Sequence, residues 1–161
     1  MSKCSGIPVL ELTKDIRKKL TSEVKKKNPA EFQKAVNIII ESHMGKKPND
    51  AHAALAEYKI PIITLNIDML HQKAGSGFVA ELHGNAYQGL IPYGDVATDW
   101  DRAADLINSG NEHDVLLVIG MSMDAAIISD LIIAAISRNM HVIEIRKNII
   151  HKVREVIEKE L

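Results

Sequence analysis

Cysteine is nearly absent: Cys4 alone stands in 161 residues. One thiol cannot close an internal disulfide, and it excludes a cysteine-built zinc site. Cys4 has no base beside it in the sequence, so it is not read as a nucleophile. Excess charge is lacking too. The net charge is −1, which excludes a strong electrostatic footprint for nucleic acid. The short run Lys25-Lys26-Lys27 reads as a solvated helix end. No apolar stretch is long enough to cross a bilayer, and the first residues lack a signal-peptide pattern, so a cytoplasmic location without a membrane partner is expected. Internal repeats and low-complexity segments are missing as well. The length suits one domain over residues 1–161.

What is present alternates between helical and strand patterns. Leu12, Ile16, Leu20 and Val24 recur at helical spacing and predict one amphipathic helix. Asn28-Pro29 stops it and opens the next, with Asn28 as N-cap and Pro29 in the first turn. Phe32, Ala35, Val36, Ile39 and Ile40 form that helix's apolar face, and Gly45 ends it. A third helix enters at Lys47 to Ala56, where His52 is read as an anchor rather than a ligand. Thr98 or Asp99 caps a helix that ends near Gly110. Asp114 to Gly120 is a continuous apolar run, the pattern of a strand covered on both faces. A buried helix over residues 127–137, a strand over His141 to Ile145 and a terminal amphipathic helix from Ile149 complete the chain. Strands alternating with helices argue for an α/β layer architecture with a mainly parallel sheet and helices on both faces.

The stretch around which the rest is organised begins at Ile60-Pro61-Ile62-Ile63-Thr64, a buried strand by its apolar, β-favouring composition. It turns polar at Asn66, Asp68 and His71. A second short strand, Phe78 to Leu82, delivers His83-Gly84. Open α/β sheets bind ligands beyond the carboxyl ends of their strands. An amide, a carboxylate and an imidazole are therefore offered to one crevice. Asn and Asp after a strand also serve as ordinary turn and N-cap residues.

Thr64-Leu65-Asn66-Ile67-Asp68-Met69-Leu70-His71-Gln72-Lys73-Ala74-Gly75-Ser76 resembles the sirtuin motif Thr-Gln-Asn-Ile-Asp-Gly-Leu-His-x-x-Ala-Gly. Glu81-Leu82-His83-Gly84 resembles the sirtuin Glu-Leu-His-Gly, whose His is the catalytic base. The two occur in the family's order and close to its spacing. Ser5-Gly6-Ile7-Pro8 resembles the end of its phosphate loop, and Lys47-Pro48-Asn49 with His52 resembles its Lys-Pro-Asn-x-x-His. Leu90 to Asp95 resembles the extended segment along which the acyl-lysine lies. Gly120-Met121-Ser122 resembles the turn against the cofactor. The resemblance runs from Ser5 to about Lys147 and implies a Rossmann-like fold. Its implied activity is NAD-dependent deacylation of lysine in a protein or peptide, with nicotinamide released. It implies His83 and Asn66 as catalytic, and Asn66, Ile67, Asp68, Gly120 and Ser122 as contacts of the cofactor NAD. Ile91, Tyr93 and Gly94 would align the acyl-lysine.

The departures are specific. The Gly-Ala-Gly loop and the strand before it do not precede Ser5, and the family's Phe-Arg is Leu10-Glu11. Leu65 replaces the Gln of Thr-Gln-Asn, and Arg146 replaces a ribose-contacting Asn. After Gly84, where sirtuins place a four-cysteine zinc module, the chain runs directly into Asn85-Ala86-Tyr87-Gln88-Gly89, so no metal is expected. Two alternatives stay open. One is an inactive nucleotide- or protein-binding module of the same fold. The other is an NAD glycohydrolase or ADP-ribosyl transferase. A sheet lacking its central strand exposes two strand edges, so a homo-oligomer is expected.

Overall fold

The computed structural model describes residues 14–43, 45–121 and 126–160. The segment Ser5-Gly6-Ile7-Pro8 and Ser122 lie outside the described residues.

The expected first helix is two. α1 (Lys14–Lys19) and α2 (Ser22–Lys27) are separated at Leu20 and Thr21. The periodicity hid a tertiary competitor. Leu20 O accepts the Tyr93 N–H at 2.9 Å, and the Ser22 N–H donates to Tyr93 O at 3.0 Å. Thr21 is therefore extended (φ −89°, ψ 155°), and its hydroxyl accepts the Val24 N–H as the N-cap of α2. α3 (Pro29–His43) starts as expected, with Asn28 Oδ1 accepting the Glu31 N–H at 3.2 Å. α1, α2 and α3 enclose a cluster of Leu20, Phe32, Val36 and Ile39 that also takes in Ile67 and Ala86.

α4 (Asp50–Glu57) leads into β1 (Ile62–Thr64), α5 (Leu70–Ala74) and β2 (Val79–Glu81). β1 and β2 pair in parallel, Ile62 opposite Val79 and Thr64 opposite Glu81. β3 (Gly84–Asn85) and β4 (Gly89–Leu90) form a small antiparallel hairpin. α6 (Trp100–Asn108), β5 (Val115–Ile119), α7 (Ala126–Ser137), β6 (His141–Ile145) and α8 (Ile149–Glu160) follow. β5 and β6 pair in parallel, Val115 opposite His141 and Ile119 opposite Ile145.

The strands form one layer between two helical ones. On one face Ile62 and Ile145, with Leu117 and Ile119 beside them, pack on α4 and α8 through Leu55, Val153 and Ile157. On the other face Ala80 and Leu82, with Ile63, Leu116 and Val142, pack on α6 and α7 through Ala103, Ile107 and Leu131. This is the Rossmann-like arrangement with helices on both faces. Within it, the parallel strands stand as two separate pairs. α7 is mostly apolar, and Ile133 and Ile136 are more than half exposed. A helix laid on one face of a sheet buries a single stripe, here Ile128, Leu131, Ile132 and Ala135. No helix of the described residues is long and apolar enough to cross a membrane.

Removing the cap between α1 and α2 tests whether the break is built into the sequence. Thr21→Ala should lower stability by ~1 kcal/mol, while Thr21→Ser should keep most of it, measured by urea denaturation.

Candidate functional site

Thr64 makes the strand end turn. Its Oγ1 accepts the Asn66 N–H at 3.0 Å, and its carbonyl accepts the Leu82 N–H at 3.0 Å. The second bond sets the residues leaving β1 beside those leaving β2, one position before His83. Ile67, 2% exposed, is fixed from the hairpin side by the Ala86 N–H on its carbonyl at 3.1 Å. Asn66, Ile67 and Asp68 are thus tied to the segment that carries His83.

Asp68 is 2% exposed. Its Oδ1 accepts the Leu70 N–H at 2.9 Å, which caps α5. Its Oδ2 is buried and meets no donor. The capping role and the site role are therefore both open to this side chain, one oxygen for each. Met69 follows in the left-handed region (φ 58°), a conformation that costs a side-chain-bearing residue ~1–2 kcal/mol. The strain holds the tight entry into α5, which Gly75 (φ 93°) then closes.

His83 sits between β2 and β3, and its carbonyl accepts the Ile91 N–H at 2.9 Å. The Tyr93 ring meets its imidazole edge-on at 5.7 Å. Burial pushes the His83 pKa below the usual imidazole value and the Tyr93 pKa above the usual phenol value, the latter opposed by Arg17. At neutral pH His83 is a neutral imidazole, the form that accepts a proton. Gly84 (φ 59°) permits the hairpin: a Cβ there would come within 2.2 Å of the Gly89 carbonyl oxygen. Gly94 (φ 93°) lies beside Ser22, and Tyr93 has both main-chain groups bonded to the α1–α2 junction.

Gly120 ends β5 with φ 69°, its N–H on Ile145 O at 2.9 Å. The next residue, Met121, and Leu65 from the exit of β1 both pack against the cluster of Val118, Ile128 and Ile132. The structure thus gathers Asn66, Ile67, Asp68, His83, Ile91, Tyr93 and Gly94 around the ends of β1 and β2, with Gly120 at the end of β5.

Sequence reasoning missed the polar girder behind His83. Glu81 accepts from Gln72 Nε2 and from Asn85 Nδ2, each at 2.7 Å, and its N–H donates to Asp99 at 2.8 Å. Asn85, 2% exposed, accepts the Tyr87 and Gln88 N–H groups and so builds the turn of the hairpin. Asn85 followed by Gln88-Gly89 was a readable turn signal. Asp99, expected to cap α6, stands at its N-cap without a capping bond. Its carboxylate is taken by Glu81 and Arg102. His52 does anchor α4, in a capping box with Asn49, and its ring lies 4.7 Å from that of His71. Burial depresses both imidazoles, and His71 is pushed down to about 4 with the help of His52. Among the described residues no group of three or more His, Cys, Asp or Glu could hold a metal ion.

The model of the Sir2 family matches residues 10–90, half of the chain. An NAD-dependent protein deacylase of Thermococcus sibiricus is 36% identical over 100 residues, covering 55% of this chain and 37% of that protein. An NAD-dependent protein deacetylase of Caldanaerobacter subterraneus is 41% identical over 75 residues, covering 44% and 30%. The match thus spans about a third of the length of these curated relatives. Among solved structures, one from work on sirtuin substrate affinity superposes with a TM-score of 0.78 at 21% identity, covering 96% of this chain and 88% of that one. A complex of a Sir2 homologue with NAD gives a TM-score of 0.75 at 22% identity, covering 89% and 77%. These superpositions establish the fold.

Two measurements check the local geometry. Gly84→Ala should lower stability by on the order of 3 kcal/mol or more, because strain and a backbone clash coincide. Thermal stability should also rise with pH between about 4 and 6.5. In that window unfolded His71 holds a proton that the folded form has shed, so the unfolded state binds more protons. A His71→Phe variant should flatten this slope in thermal melts.

Proposed function

The chain belongs to the Sir2 family, and from that premise we propose that it is an NAD-dependent protein deacylase. It would move the acyl group of an acyl-lysine onto the ADP-ribose part of NAD as nicotinamide leaves. The relatives named above as NAD-dependent deacylase and deacetylase support this reading. In this reading the chain works as one domain over residues 1–161, in the cytoplasm.

One observation carries it. Asp68 presents a buried carboxylate oxygen without a donor, at the strand ends that also hold His83. Leaving a hydrogen-bonding oxygen unpaired in the interior is costly. An incoming N–H donor such as a carboxamide relieves that cost, so Asp68 fits the nicotinamide end of NAD. Asn66 and Ile67 line the same turn. For the pyrophosphate, no described residue forms a glycine-rich loop at a helix N-terminus, and Gly120 marks the ribose–phosphate side. When bound, NAD supplies the electrophilic ribose carbon and nicotinamide as leaving group. His83, neutral near pH 7, accepts the proton of a ribose hydroxyl. Its edge contact with Tyr93 and the bond at its carbonyl hold the imidazole in place. Ile91, Tyr93 and Gly94 line the acyl-lysine approach.

A second reading has its own support. Both main-chain groups of Tyr93 are already used by Leu20 and Ser22. A substrate strand cannot pair with them. That favours acceptors other than a peptide, as in an NAD glycohydrolase or an ADP-ribosyl transferase.

Nicotinamide release from NAD separates these readings. With an acetyl-lysine peptide, release should exceed the peptide-free rate at least tenfold and be lost in His83→Ala. Peptide-independent release would establish the glycohydrolase reading. No release, together with no calorimetric NAD binding, would leave a nucleotide-free binding module.

A further inference from the structure

His83 stands at the middle of a loop that one side chain closes. Asn85 Nδ2 donates to Glu81 Oε2 at 2.7 Å, which pins the residue two before His83 to the residue two after it. The other oxygen of the same carboxylate accepts from Gln72 Nε2, also at 2.7 Å. Gln72 belongs to α5, and Asp68 caps the first turn of that helix through the Leu70 N–H. One carboxylate therefore joins the turn that holds Asp68 to the loop that holds His83. Both bonds are short, as bonds to a carboxylate are, and both donors are amides.

The two amides differ in freedom. Asn85 Oδ1 accepts the Tyr87 and Gln88 N–H groups, so its orientation is fixed and Nδ2 is the end that meets Glu81. Gln72 makes no second side-chain bond among the described residues, so its amide can turn over. Main-chain ties run alongside. Thr64 O accepts the Leu82 N–H at 3.0 Å, and Ile67 O accepts the Ala86 N–H at 3.1 Å. These ties hold the two segments together whatever side chain stands at position 81. The carboxylate adds the finer placement of the loop between them.

We propose that Glu81 is a positioning residue: through Gln72 and Asn85 it sets where His83 stands relative to Asp68. The consequence for catalysis rests on the deacylase reading; the placement of the imidazole does not. A reacting group displaced by about 1 Å loses on the order of a hundredfold in rate. The role asks for a matched pair of hydrogen-bonding atoms at position 81 and not for its charge. The amide of a Glu81→Gln variant gives its oxygen to Asn85 and its nitrogen to a turned-over Gln72. A Gln72→Glu variant instead sets two carboxylates against each other with no donor between them. Combining the two substitutions restores a donor and an acceptor at every contact, with the carboxylate moved onto α5.

The test is the double-mutant cycle of Gln72→Glu and Glu81→Gln in the full chain, with two readouts. The first is the NMR signal of the His83 imidazole Hε1 in the NAD-free protein, with the main-chain amide spectrum as the check on folding. Gln72→Glu should broaden or double this signal, while Glu81→Gln and the double variant keep it single and sharp. The second is nicotinamide release with an acetyl-lysine peptide. Gln72→Glu should lower kcat ~10-fold or more and leave the KM for NAD within about twofold. Glu81→Gln and the double variant should stay within about threefold of the unmodified protein in both. A loss in Glu81→Gln as deep as in Gln72→Glu would overturn the proposal, because charge and not placement would then be the role. A double variant no better than Gln72→Glu would overturn it, as would a Gln72→Glu variant that changes neither readout. An unfolded Gln72→Glu variant would overturn it too, since the pair would then support the fold rather than the imidazole. If the unmodified protein releases no nicotinamide, the deacylase reading fails and the imidazole signal alone decides the positioning role.

Discussion

The hydrogen bond from the Leu82 N–H to the Thr64 carbonyl is the joint on which the candidate site depends. It is the last rung of a parallel ladder only three residues long. Beyond it the two chains stop being strands and become a turn and a hairpin. Everything polar nearby is arranged from that rung outward. Thr64 Oγ1 turns the chain at Asn66, Asp68 caps α5, and Ile67 is tied back to Ala86. On the other chain, Glu81 braces the segment through Gln72, Asn85 and Asp99. A short ladder normally leaves its ends to fray. Here the polar side chains just past it stiffen the place where it would come apart.

Much of this was legible because local chemistry and tertiary need agree. The apolar strand runs, the Asn28-Pro29 start and the His52 anchor all appear where their residues put them. The polar cluster after β1 and His83 after β2 followed from composition alone, and the sirtuin resemblance gave them roles. The misreadings share one cause, a distant partner that periodicity does not record. Thr21 is pulled out of a helix by Tyr93. Asp99 gives its carboxylate to Glu81 instead of capping its own helix.

Asp68 and the two imidazoles near it are polar groups that the interior holds at a cost in stability. A carboxylate with an unsatisfied oxygen in the interior is a standing cost. The rings of His52 and His71 meet at a tilt of 46°, and burial lowers the pKa of both. A fold optimised for stability alone would replace such groups with apolar ones. Their cost is carried by the large apolar clusters on either face of the sheet.

The bridge between Thr21 and Tyr93 also sets the order in which this chain can be assembled. β1, α5 and β2 lie within one short segment, and β5, α7 and β6 within another, so each pair closes a modest loop. Thr21 and Tyr93 are about seventy residues apart, and closing that loop costs more entropy before any contact offsets it. The pieces holding Asn66, Asp68 and His83 can therefore condense first, while the α1–α2 layer docks late. During that interval the crevice is roofless, and the same late-docking layer is the natural one to lift first when the native molecule opens.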